Sequence, residues 1–227
     1  MSKKLNIKNH PYSNMLLNHA MGNSSEAESL MISSHLAYCK TCKAEVAKYE
    51  NIGGYYLENH QELNVSKDLW QNVLERVSDK EQDVKQSNYI DHKIKSSLSD
   101  SEIRIPSFIS NYLFKKLDTK DWKATINNVR YTNIDFKDTE FKGKFLEIPP
   151  GRSMPKHGHE GYEATLVLHG SYYDENGSYQ KGDLVIANDE EVHSPVASDA
   201  GCLCMVIYSG SLKFKGLLGS LLNLSRF

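Results

Sequence analysis

Two histidines one residue apart, a glutamate four positions on and a further histidine thirty positions later constrain this chain more than any other feature. In full the run is Gly151-x5-His157-x-His159-x3-Glu163-x6-Gly170, followed by His193. Residues at i and i+2 of an extended segment point to the same side. His157 and His159 therefore converge on one ion if this stretch is β. Glu163, at the head of an alternating strand over Glu163–His169, and His193, on a later strand, can close the site inside a barrel. Three imidazoles and one carboxylate suit zinc, iron, manganese or nickel, and the ligands alone do not choose. The neighbouring sequence agrees with a β reading. Cys202-Leu-Cys-Met-Val-Ile-Tyr208 marks another strand, and Pro149-Pro150-Gly151, Asp174-Glu-Asn-Gly177 and Lys181-Gly182-Asp183 are turn signals between short strands. Many short strands at regular spacing indicate a sandwich or barrel.

The first half has a different texture. Ser24-Ser25-Glu26 opens a segment in which Ala27, Leu30 and Met31 recur at helical intervals, and a second helix through Val46 and Tyr49 runs to an expected break at Gly53-Gly54. Ser66 is placed to cap a third, with Leu69, Trp70, Val73, Leu74 and Val77 as its apolar stripe. Such a stripe either packs into a core or faces a partner. Residues 79–104 are charged and Ser-rich, the composition of a linker. The expectation is an α+β two-domain chain. A small all-α helical domain spans residues 1–85, a linker 86–105, and an all-β domain 106–227, the two domains being separable units.

At 227 residues the chain accommodates two small domains, and a net charge of −2 provides no global basic field to draw nucleic acid. The basic start MSKKLNIKNHPYSN lacks the apolar core of a secretory signal, and no stretch reaches the length of a membrane span. These features favour a cytoplasmic protein with neither nucleic acid nor membrane as a direct partner, and with reduced thiols. Its four cysteines form two close pairs, Cys39/Cys42 and Cys202/Cys204.

Beside the first pair stands His35, giving His35-x3-Cys39-x2-Cys42. Positions i, i+4 and i+7 share one face of a helix. One imidazole and two thiolates there form the zinc pattern, which wants a fourth ligand. The upstream candidates are His10 and His19; His10, free to fold back beside Pro11, is favoured over His19 inside a helical run. A closed Cys2His2 site has no open position for water, so its role is structural, holding together a domain that buries little surface by itself.

The run from His10 through His35-Leu-Ala-Tyr-Cys39-Lys-Thr-Cys42 resembles the zinc-binding anti-sigma domain. The Gly151–Gly170 run resembles the first motif of the cupins, which are double-stranded β-helix (jelly-roll) barrels. The second cupin motif keeps its spacing from Gly182 to His193 but departs where that family often has Pro, Gly and Asn, here Asn188, Glu190 and Ala197. Together the two halves resemble the ChrR-type anti-sigma factors across nearly the whole chain. That resemblance implies a non-enzymatic regulator that holds an extracytoplasmic-function sigma factor away from core RNA polymerase. It implies two zinc ions per chain, the cupin site being open to another divalent metal, and release of the sigma factor on stress from singlet oxygen or organic hydroperoxide. Leu69, Trp70, Val73 and Val77 become candidates for the partner-binding face. Cys202 and Cys204, on one side of a strand, are either a redox pair or two small buried residues. The alternative function is a metal-dependent cupin dioxygenase with an accessory zinc module. A zinc-finger DNA binder is disfavoured by the acidic balance.

Overall fold

The structure, a computed structural model, describes residues 5–78, 92–96, 99–106, 108–109, 122–137, 140–189 and 191–215. Four helices come first: α1 (Ser13–Ala20), α2 (Glu26–Leu36), α3 (Lys40–Glu58) and α4 (Lys67–Ser78). The start of α2 is fixed by a capping box. Ser25 Oγ accepts from the Glu28 N–H (3.2 Å), and the Glu28 carboxylate accepts from the Ser25 N–H (3.1 Å). Ser66 Oγ accepts from the Leu69 N–H at the start of α4, as its position in the sequence predicts.

Two expectations about these helices are corrected. No single helix carries His35, Cys39 and Cys42: α2 ends at Leu36, Cys39 is the N-cap of α3, and Cys42 lies in the first turn of α3. The same spacing brings the three side chains together at a helix–turn–helix corner. Nor does Gly53-Gly54 break α3, which continues to Glu58. Each glycine costs a helix about 1 kcal/mol relative to alanine, a penalty that neighbouring residues can offset.

The strands are β1 (His92–Ser96), β2 (Ser99–Ile105), β3 (Lys123–Ala124), β4 (Arg130–Ile134), β5 (Lys142–Ile148), β6 (His157–His159), β7 (Glu163–Tyr173), β8 (Ser178–Gln180), β9 (Leu184–Ala187), β10 (Val192–His193), β11 (Val196–Tyr208) and β12 (Leu212–Phe214). A large antiparallel sheet runs β3-β4-β5-β11-β7-β8, with β9 also paired to β7. A small one runs β10-β6-β12. Strands β1 and β2 pair with each other inside the stretch expected to be linker, and Ile103 and Ile105 of β2 are buried in the core. With few apolar residues among many charges, the pattern is too sparse to register as a strand. The expected linker residues 86–91 and 97–98, and the apolar tail 217–224, lie outside the described residues.

From residue 201 to 208, strand β11 is buried on both faces. Cys202, Cys204, Val206 and Tyr208 belong to one apolar cluster with Ile148, Met154 and Val167. Leu203, Met205 and Ile207 belong to another, which also contains Ile103 and Ile105 and takes in Ala27, Leu30 and Met31 of α2. One hydrophobic core therefore runs from the helical half into the β half.

Candidate metal centres

His10, His35, Cys39 and Cys42 come together with ligand atoms within 4.8 Å of one another. His10 Nδ1 is 3.5 Å from Cys39 Sγ and 3.3 Å from Cys42 Sγ. A tetrahedral zinc with bonds of about 2.0–2.3 Å holds its ligand atoms roughly 3.3–3.8 Å apart, so the spacing fits. The burial pattern fits as well. His35 is fully buried, and its Nε2 has no hydrogen-bond partner while its Nδ1 lies 2.9 Å from the Gly182 carbonyl oxygen. Donation from Nδ1–H leaves the lone pair on Nε2, the tautomer a metal requires. Burial lowers the His35 pKa to about 4, which keeps the ring neutral. Burial and the Cys39 sulfur beside it push the Cys42 thiol up to about 12. A divalent cation would reverse that penalty, since a coordinating thiol ionises outright. His19 lies elsewhere, 3.5 Å from Ser33 Oγ.

The second centre is built across the small sheet. His157 and His193 are direct cross-strand partners on β6 and β10, and His159 is two residues from His157 on the same face. His193 Nε2 is 3.1 Å from His157 Nε2 and 3.2 Å from His159 Nε2. All three rings are buried, and burial is the main cause holding the pKa of His157 down at about 4 and lowering that of His159. Three imidazoles aimed at one point suit a divalent metal. Glu163, the expected fourth ligand, stands beside this triangle and outside the 4.8 Å grouping. Its Oε2 is 3.3 Å from His159 Nδ1, off the line a hydrogen bond needs, and its Oε1 accepts from Thr165 Oγ1.

Two supports of this centre escaped sequence reasoning. The Asp174 carboxylate accepts from His193 Nδ1 (3.1 Å) and, through its other oxygen, from the Asn176 and Gly177 amides. The turn signal Asp174-Glu-Asn-Gly177 thus also orients a candidate ligand. The Pro155 carbonyl accepts from His157 Nδ1 (2.8 Å). A cavity of about 50 Å³ adjoins the centre, lined among others by Glu163, Tyr172, Cys204 and Tyr208. The Sγ atoms of Cys202 and Cys204 are 3.2 Å apart, both buried and unbridged. Contact with Cys202 and burial push the Cys204 thiol well above its usual value.

With this geometry in view, residues 112–211 match the family described as the ChrR Cupin-like domain. A curated relative, the anti-sigma-E factor ChrR of Cereibacter sphaeroides, is 28% identical over 96% of this chain and 98% of its own length. The chain resembles the ChrR-type anti-sigma factors from end to end. A solved structure of Rhodobacter sphaeroides SigE in complex with the anti-sigma ChrR agrees, with 26% identity, a TM-score of 0.70 and coverage of 89% of this chain and 99% of that one. ChrR-type likeness therefore spans both the helical part and the antiparallel β part.

The expected partner face of the helical half is also on the surface. Leu69, Trp70, Val73 and Val77 of α4 are 52%, 63%, 43% and 47% exposed, so this stripe is not packed into the core of this chain. Among the described residues no helix is long and apolar enough to cross a membrane.

Proposed function

We propose that this chain is a zinc-dependent anti-sigma factor that binds an extracytoplasmic-function sigma factor through its helical half and keeps it from core RNA polymerase. The observation that carries this reading is likeness over nearly the full length of both ChrR and this chain, not over the cupin alone. In this reading His10, His35, Cys39 and Cys42 hold a structural zinc. His157, His159 and His193, with Glu163 as the nearby carboxylate, hold zinc or another divalent metal in the cupin. When bound, each metal supplies a cross-link between strands or helices. The side chains' own part is to be held in place and correctly turned toward it. Oxidative stress, as singlet oxygen or organic hydroperoxide, acts at the cupin, with Cys204 beside the cavity and its neighbour Cys202 as its redox-active groups.

The exposed stripe on α4 is the anchor for the sigma factor. Co-expression with an extracytoplasmic-function sigma factor of the same organism, followed by affinity capture, should recover a stoichiometric complex. Trp70→Ala, which removes an exposed aromatic and leaves the core intact, should weaken that complex about 30-fold or more, the scale of an aromatic hot spot. Absence of the sigma factor from the captured material would overturn the proposal.

A further inference from the structure

The turn between β8 and β9 belongs to the cupin by sequence, yet its polar groups face the helical half. Asp183 is fully buried. Its Oδ1 accepts from the backbone N–H groups of Lys8 (2.7 Å) and Asn9 (2.9 Å), and its Oδ2 from the Gln180 N–H (2.8 Å). The Leu184 N–H donates to the Asn9 carbonyl at 3.1 Å. His10 follows directly. The carbonyl of the preceding residue, Gly182, accepts from His35 Nδ1. Gly182 has φ +93, and a Cβ there would stand 2.7 Å from Ile7 Cδ1 and 3.1 Å from Tyr38 Cβ. The close approach of turn and helical half thus requires glycine on both counts.

We infer that the Gly182–Leu184 turn of the cupin is the outer support of the N-terminal zinc centre, with Asp183 as a positioning residue. Of the four ligands, the two thiolates are placed by the α2–α3 corner. Both imidazoles are placed by the cupin, His10 through the pinned segment at residues 8–9 and His35 through the Gly182 carbonyl. A carboxylate is needed at 183 because three amide donors approach from two sides, and charge-assisted bonds of this kind hold a loop more firmly than neutral ones. Groups that orient metal ligands typically change metal affinity 10–100-fold when removed. Zinc affinity at the helical half is therefore partly a property of the cupin.

This inference rests on the zinc reading of the N-terminal site, and the test separates the two. Cobalt(II) is titrated into the full-length metal-free protein. Among the described residues only the N-terminal centre groups thiols with a metal position, so the sulfur-to-cobalt charge-transfer band reports that site and not the cupin. Absence of the band from the unaltered protein, or its persistence when Cys39 and Cys42 are both replaced by Ser, would sink the zinc reading itself. With the band present, Asp183→Asn should shift its intensity and let a chelator compete for zinc about 10–100-fold more effectively, while the cupin keeps its metal. An unchanged band and unchanged competition in a folded Asp183→Asn protein would overturn the inference. A second measurement needs no change at 183. Hydrogen exchange of the Leu184 amide should quicken about tenfold or more in Cys39→Ser, because sites that support one another do so reciprocally. Equal exchange in the two proteins would count against the inference just as firmly.

Discussion

Met31→Ala tests whether one core serves both halves. Met31 is fully buried on α2 and shares a cluster with Leu166, Leu203, Met205 and Ile207 of the large sheet. Truncating a buried methionine to alanine costs about 2–5 kcal/mol, from lost transfer energy and the cavity left behind. Unfolding entropy of about 2.1 cal/mol/K per residue, over 227 residues, comes to roughly 0.5 kcal/mol/K. The midpoint should therefore fall by about 4–10 °C. What decides the question is where the loss is felt. Fluorescence of Trp122, which packs against that cluster, reports the β half once Trp70 has been replaced by Phe. The cobalt–thiolate band at Cys39 and Cys42 reports the helical half. With a continuous core, both signals move down together by the full amount. If the thiolate band moved alone while Trp122 unfolded at its original temperature, the two halves would be independent and the reasoning wrong.

Three further outcomes follow from the geometry. His10→Ala should lower zinc content at the N-terminal centre, measured by atomic emission, whereas His19→Ala should leave it unchanged, because only His10 reaches the two sulfurs. His157→Ala, His159→Ala or His193→Ala should each remove about one metal equivalent per chain, since a three-imidazole centre missing one ring is left with two; Glu163→Gln should cost less if the carboxylate stays beside the triangle. Lys144 is buried with Nζ 4.7 and 5.5 Å from the ring centroids of Tyr131 and Tyr208, and burial, then Lys142 and Lys123, brings its pKa down to about 8. Between that value and the ordinary one near 10.5, the unfolded chain binds the proton and the native one does not, so stability rises with pH across this window. Relative to Lys144→Met, denaturant titrations should show the native chain gaining about 1–3 kcal/mol between pH 7.5 and 10.5.

Both metal centres were legible because ligand chemistry survives errors about local geometry. The spacing of His35, Cys39 and Cys42 is met by one helix face and equally by a helix end followed by a new N-cap. The structure therefore brings these residues together, although the backbone under them is not the single helix that the spacing suggested. Alternation also located the strand that Glu163 heads, whereas the strand under His157 and His159 entered only as a condition. It did not find β1 and β2, where two buried isoleucines stand among many charged and polar neighbours. A clue to the joined core was present but went unread as such. Cys202–Tyr208 is an unbroken apolar run, and a strand with one face in water would alternate. The supports at Asp174, Gly182 and Asp183 were invisible for a different reason: each is an ordinary turn residue whose second task depends on contacts far away in sequence.

The two-sided burial of β11 bears on how this protein is dismantled in a cell. A protease cut that freed the helical half would uncover Leu203, Met205 and Ile207 together with Leu166 and Leu168, a contiguous apolar strip on the sheet. Surfaces of that kind are rare on stable monomers and invite association or degradation. The cut would therefore not leave a soluble cupin behind as an inert remnant. Loss of one half would leave the other exposing part of what is now its core.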